Sequence, residues 1–251
     1  MNVFIISLLI IFLSAMAYAQ KVPITIFLAG DSTMAPKRPE KRPETGWGEM
    51  LGGYFVKGKV RIENRAMNGR STKTFISEGR WQSIIDDMKK SDYVFIQFGH
   101  NDSSKEKGER YTPPADYRQN LIRFVSDVRS KGGFPVLLTP VMRRRFDKDG
   151  KFYDTHGEYP DLVRTVASEH KVPLIDMHRM SEVVIVQYGA EGSRKLFLQL
   201  KPGENPNYPN GIDDNTHFSP LGALEMVRLV VAGIRVEKLK IRKHLGKPSI
   251  D

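Results

Sequence analysis

Apolar residues come in short unbroken runs, separated by longer stretches where apolar and charged positions alternate at helical spacing. The runs at 24–29 (ITIFLA), 93–98 (YVFIQF), 135–140 (PVLLTP) and 172–177 (VPLIDM) are nearly continuous. That is the pattern of strands covered on both faces in a parallel sheet. A fifth strand is predicted at 60–66 (VRIENRA), with charges mixed in. Helices are predicted over 47–55, 80–90, 114–131, 159–170, 180–189 and 220–238. The third begins on Pro114 and ends at Gly132-Gly133, matching helix start and stop chemistry. Strand–helix alternation five times over predicts an α/β fold with an open, doubly wound sheet. Two long loops, 142–157 and 201–213, stand out, and loops of that length are often functional.

The first nineteen residues are a different material. VFIISLLIIFLSAMA is apolar and uncharged and leads to Ala17-Tyr18-Ala19, a small-x-small cleavage pattern. A signal peptide over 1–19 is therefore expected, with the mature chain starting at Gln20. No Lys or Arg precedes the apolar run, so an uncleaved membrane anchor is the alternative. The run is, however, shorter than the ~20 residues a span prefers. The chain has no cysteine, so an exported form folds on its core alone, without disulfides. The only Asn-x-Ser/Thr sequon is at Asn101, inside a candidate catalytic block, which favours a bacterial periplasmic or secreted protein over a glycosylated one. With 40% hydrophobic and 10% aromatic residues, the chain has too much apolar content for disorder. No repeat or linker divides it. One domain is expected over 20–238, followed by a basic, solvated tail over 239–251.

In open α/β sheets the active site lies at the carboxyl ends of the strands. The first strand leads to Gly30-Asp31-Ser32-Thr33 and the second to MNGRST (67–72). The third leads to Gly99-His100-Asn101-Asp102, and DDNTHFSP (213–220) precedes the last helix. A serine hydroxyl needs a base to take its proton, and histidine is the usual one near neutral pH. An aspartate then fixes the imidazole tautomer. Asp214 and His217 are spaced i, i+3, so one turn places both side chains together; Asp213 is the competing carboxylate. A tetrahedral oxyanion needs donors. Three are on offer: the Ser32 N–H at an expected helix N-terminus, the Gly69 N–H and the Asn101 side-chain amide.

The blocks GDST, NGRS, GHND and DNTH stand in the order of the SGNH (GDSL-like) hydrolase superfamily, and the resemblance spans nearly the whole mature chain. Together with GWGE (46–49) and NGRSTKTF (68–75), the chain most resembles the rhamnogalacturonan acetylesterases, carbohydrate esterase family twelve. The resemblance implies Ser32 as nucleophile, His217 as base and Asp214 as its orienting carboxylate. It also implies Gly69 and Asn101 in the oxyanion hole, a flavodoxin-like three-layer α/β/α sandwich with a five-stranded parallel sheet, and no cofactor. GDST in place of GDSL argues for the carbohydrate branch over the lipase-like ones.

The net charge of +10 matters through its location. KRPEKRPE (37–44), Arg70 and Lys73, and MRRRF (142–146) all follow strands on the same edge. Arg70, Arg143, Arg144 and Arg145 are thus candidate contacts for an acetylated, anionic polysaccharide such as a pectin. The expected protein is a monomeric exported serine esterase, free of the membrane after signal cleavage and without a nucleic-acid partner. Acetylated xylan or small acyl esters are the alternative substrates, and a non-catalytic carbohydrate-binding protein is the alternative class. A metal site from His100, Asp102, Asp213 and His217 has no HExxH or Cys spacing behind it. No Gly-rich phosphate loop follows the first strand. His156, His170, His178 and His244 read as structural or surface residues, Asp31 as a loop brace and Trp47 as core.

Overall fold

The computed structural model describes residues 23–246; the expected signal peptide and the last five residues lie outside them. Five parallel strands form one sheet: β1 (Ile24–Gly30), β2 (Val60–Asn64), β3 (Tyr93–Gln97), β4 (Phe134–Leu138) and β5 (Leu174–Ile175). Their order is β2-β1-β3-β4-β5. This is the flavodoxin-like order, in which the chain reverses direction between β1 and β3 and opens a crevice at their carboxyl ends.

The sheet explains why the strand runs lack alternation. Successive side chains on a strand point to opposite faces, and here both faces are covered. Ile26, Leu28, Phe95, Val136 and Leu138 pack on one side, against Ile185 of α5 (Met177–Gly192) and Met226 and Val230 of α6 (Pro220–Val236). Phe27, Ala29, Val94, Ile96 and Leu137 pack on the other. There they meet α1 (Thr72–Ser77), α2 (Arg80–Asp87), α3 (Pro114–Ser130) and α4 (Tyr159–Glu169), through Phe75, Trp81, Phe124 and Val163 among others. The result is the expected three-layer sandwich.

Several elements differ from expectation. The helix expected over 47–55 is two 3-10 turns, Trp47–Glu49 and Leu51–Tyr54, since three glycines in this short stretch weaken a regular helix. Trp47 is fully buried, and its Nε1 donates to Gln97 Oε1 at 2.9 Å. Helix α1 was not expected. Neither was an antiparallel pair, β6 (Phe197–Leu200) and β7 (Ile212–Phe218), whose pairing shifts register between Phe197 and Gln199.

The tail expected to be solvated from residue 239 is instead docked. Lys240–His244 forms a 3-10 turn, with Leu239 and Ile241 buried in the α5/α6-side core. The Val56 N–H donates to His244 O, and the Gly246 N–H to Tyr54 O, both at 2.9 Å. Residues 239–246 therefore belong to the domain. Ile241→Ala is expected to cost about 2–5 kcal/mol of stability in urea unfolding, as truncation of a buried aliphatic side chain does. A change below about 0.5 kcal/mol would fit an exposed tail instead.

Candidate active site

The loops after β1, β2 and β3 meet β7 at the carboxyl edge of the sheet. Ser32 sits in the turn that leaves β1. Asp31 O accepts from the N–H groups of Met34 and Ala35, at 3.3 and 3.1 Å, but the turn does not continue into a helix. The expected helix N-terminus at Ser32 is thus a single turn, and no helix dipole supports its N–H. Asp31 braces that turn as expected. Its Oδ1 accepts from the Thr33 N–H at 3.0 Å and the Thr33 hydroxyl at 2.8 Å.

His217 links the two ends of the chain. Its Nε2 lies 2.8 Å from Ser32 Oγ and its Nδ1 lies 2.6 Å from Asp214 Oδ2. Asp214 turns its other oxygen back on the backbone, accepting from the Thr216 and His217 N–H groups at 2.7 and 3.0 Å. This local turn inside the irregular strand β7 is what puts residues three apart on one side. Burial alone would raise the Asp214 pKa, but His217 and the two N–H bonds lower it. The carboxylate is therefore charged where it holds the imidazole. Asp213, the competing carboxylate, faces Arg194 instead, at 3.9 Å.

Ser32, Gly69, Asn101, Asp214 and His217 line one cavity of about 480 Å³. Gly69 has φ +77, a left-handed conformation that favours glycine. A Cβ there would also meet the Arg110 guanidinium at 3.1 Å. Among the described residues, no protein acceptor takes the Ser32 or Gly69 N–H. Asn101 Nδ2 donates to Arg70 O at 2.9 Å, which leaves its second N–H available. Gly99, at φ +145 and packed against Pro140, makes the sharp exit from β3 that delivers Asn101.

Of the four arginines singled out from the sequence, only Arg143 lines this cavity. It is buried, donating to His100 O at 3.0 Å and Thr155 Oγ1 at 2.9 Å. Arg144 is spent elsewhere, on Ser193, Asn215 and the Ala190 carbonyl. Arg145 is exposed and outside the cavity, while Arg70 pairs with Glu78 beside an adjoining recess. The cavity's other cations are Lys41, Lys107 and Arg110, which the sequence reading did not assign to the site. Lys107 and Arg110 belong to a short polar 3-10 segment, Lys105–Arg110, with no periodicity to mark it.

Buried groups support the loops from behind. His100 Nδ1 lies 3.3 Å from Asp31 Oδ2. Burial lowers the His100 pKa, against the Asp31 carboxylate that raises it. Asp31 is held low despite its burial, by His100 and by the Thr33 bonds. Behind it, Asp154 Oδ1 lies 2.7 Å from His156 Nδ1 and 3.1 Å from His178 Nε2. Arg164 approaches the remaining His178 nitrogen at 3.3 Å. A donor aimed at that nitrogen does not suit a metal-ligating imidazole, whose second nitrogen would itself carry a proton. His100, Asp102, Asp213 and His217, for which the sequence offered no metal-binding spacing, are not gathered as a group among the described residues. Asp102 instead accepts from the Thr72 N–H at 2.8 Å and the Thr72 hydroxyl at 2.6 Å, pinning the start of α1.

The GDSL-like lipase/acylhydrolase family model matches residues 28–223. The chain is 45% identical to the rhamnogalacturonan acetylesterase RhgT of Bacillus subtilis (strain 168), over 90% of this chain and 95% of that protein. It is 38% identical to the probable rhamnogalacturonan acetylesterase YesY of the same organism, over 88% and 97%. The crystal structure of YxiM from Bacillus subtilis matches with a TM-score of 0.73 at 26% identity, covering 86% of this chain but only 57% of YxiM. A catalytic mutant of Axe2, an acetylxylan esterase from Geobacillus stearothermophilus, matches with a TM-score of 0.62 at 18% identity, over 84% and 94%. That last likeness is one of fold.

Asp102 gives this edge a pH dependence. Burial raises its pKa from 3.8 to about 7, against the Thr72 bonds that lower it. The unfolded chain releases this proton near the ordinary value while the folded protein keeps it. The group's contribution to stability therefore falls as pH rises from about 4 to about 7. Asp102→Asn is expected to flatten that part of the stability–pH curve, measured by urea unfolding at about pH 5 and about pH 8. An unchanged slope would mean that Asp102 is ionised throughout.

Proposed function

The chain belongs to the GDSL-like lipase/acylhydrolase family, and we propose that it is an exported serine esterase that removes O-acetyl groups from a plant cell-wall polysaccharide, rhamnogalacturonan in the first place. The observation that carries the reading is His217, set 2.8 Å from Ser32 Oγ and 2.6 Å from Asp214 Oδ2. Those are the contacts a general base needs on its two sides.

In the proposed cycle, Ser32 Oγ attacks the acetyl carbonyl carbon as its proton passes to His217 Nε2. Asp214 keeps the other imidazole nitrogen protonated and stabilises the imidazolium. The carbonyl oxygen, now negative, takes hydrogen bonds from the Ser32 and Gly69 N–H groups and the free N–H of Asn101. These donors are fixed before the reaction, so little reorganisation opposes them. His217 returns the proton to the sugar oxygen, which leaves as a hydroxyl, and the acetyl group stays on Ser32 as an ester. Water, deprotonated by His217, then releases acetate by the same steps. No cofactor enters this cycle.

Substrate choice rests on the relatives' names and on charge. Lys41, Lys107, Arg110 and Arg143 line the cavity, while its two acids, Glu44 and Asp214, are already engaged by Lys37 and His217. A galacturonate-bearing chain would find Lys41 and Arg110 there for its carboxylates; a neutral xylan has no carboxylate to offer them. Export rests on the apolar N-terminal run and its small-x-small end. No helix of the described residues is long and apolar enough to cross a membrane.

Acetate release from acetylated rhamnogalacturonan is expected to exceed that from acetylated xylan at equal acetyl content; the reverse order would overturn the pectin assignment. Asn101→Ala should lower kcat by about 10²–10³, as loss of one oxyanion donor does. Unchanged turnover in that variant would remove Asn101 from the mechanism.

A further inference from the structure

Lys37 opens the charged run KRPEKRPE, where its neighbour Arg38 has an 85% exposed side chain. The Lys37 side chain is only 1% exposed. Its ammonium group donates to the carbonyl oxygen of Ser32 and, at 2.9 Å, to Asn68 Oδ1. The Glu44 carboxylate lies 2.7 Å from it. Two of its N–H donors thus meet acceptors on different loops, and the carboxylate of Glu44 sits beside the charge. A buried ion pair is weak evidence for stability, because an aliphatic side chain of similar size often serves the fold as well. The placement of this amine therefore calls for a role that a methylene chain could not fill.

Its partners suggest that role. Ser32 carries one proposed oxyanion donor. Asn68 immediately precedes Gly69, which carries another. The two segments leave different strands, β1 and β2, and the backbone joins them through the Met67 N–H donating to Gly30 O at 3.0 Å. That bond lies at the base of the two loops. Lys37 bridges them further out, at the residues that flank the cavity.

We propose that Lys37 is a positioning residue, setting the spacing between the Ser32 and Gly69 N–H groups so that both reach the same developing oxyanion. It acts through the Ser32 peptide and the Asn68 side chain and touches no reacting atom. Glu44 neutralises it, so its effect is geometric alignment more than added positive charge. The inference rests on the acyl-transfer reading above.

Alignment of this kind acts on the transition state more than on the bound substrate. Lys37→Met, similar in length and uncharged, is expected to lower kcat for a small acetyl ester by about 10–100-fold, with KM within about twofold. Asn68→Leu removes the acceptor on the Gly69 side alone, keeps the Lys37–Glu44 pair and should give a loss of the same kind. The double variant should be no worse than the worse single one, because the two residues act through one bridge. Ser32→Ala separates the two levels of the argument. If it keeps its activity, the acyl-transfer reading falls. If Ser32→Ala is inactive while either folded variant turns over at the wild-type rate, only the positioning role falls. Losses that multiply in the double variant, or that appear in KM rather than kcat, also overturn it. Should Lys37→Met not fold, Asn68→Leu decides the question by itself.

Discussion

The contact between His217 Nε2 and Ser32 Oγ joins residues 185 positions apart, and in the proposed cycle the serine has no base without it. Ser32 is presented by β1, an interior strand of a packed sheet. His217 is presented by an irregular strand outside that sheet, held by its own backbone bonds to Asp214 and by the Thr45 N–H, which donates to Phe218 O at 3.0 Å. The fold's task at this edge is to bring a peripheral hairpin against the end of β1 to within a hydrogen bond. The loop of residues 37–45 lies between the two and touches both, through Lys37 on Ser32 and Thr45 on Phe218.

Legibility in the sequence followed what each segment packs against. The strands β1, β3 and β4 are covered on both faces, so their apolar runs could be read directly. Helices α3 and α6 show a clear apolar stripe and proper ends. The β6–β7 pair was missed because β7 reads IDDNTHF: most of its side chains are polar and face the site, and Phe218 alone is buried in the core, so the usual strand signal is absent. Helix α1 was missed for a similar reason. It is six residues long, capped by Ser71 and held by Asp102, with Phe75 as its main apolar anchor. In the tail, Leu239 and Ile241 sit among lysines and arginines, and the charge of the stretch concealed two buried positions.

The same limit applies to the site. Ser32, Gly69, Asn101, Asp214 and His217 could be named because four short blocks follow strand ends or precede the last helix, and strand ends share an edge. Side-chain direction could not be read that way. Arg143 turns inward onto the His100 carbonyl, whereas Arg144, its neighbour, turns toward Ser193 and Asn215. Lys37 was placed on the edge with the rest of its charged run, yet its side chain is buried. Proximity to a strand end locates a charge on the edge, but only packing decides whether it faces the cavity, another loop or water.

Every step of the proposed cycle depends on Ser32 acting as a nucleophile activated by His217. Treatment with a serine-directed phosphonate, followed by mass spectrometry of the digested peptides, tests it without any choice of substrate. One adduct is expected, on Ser32, forming much more slowly in His217→Ala. An adduct elsewhere, no adduct in the folded protein, or an equal rate without His217 would contradict it.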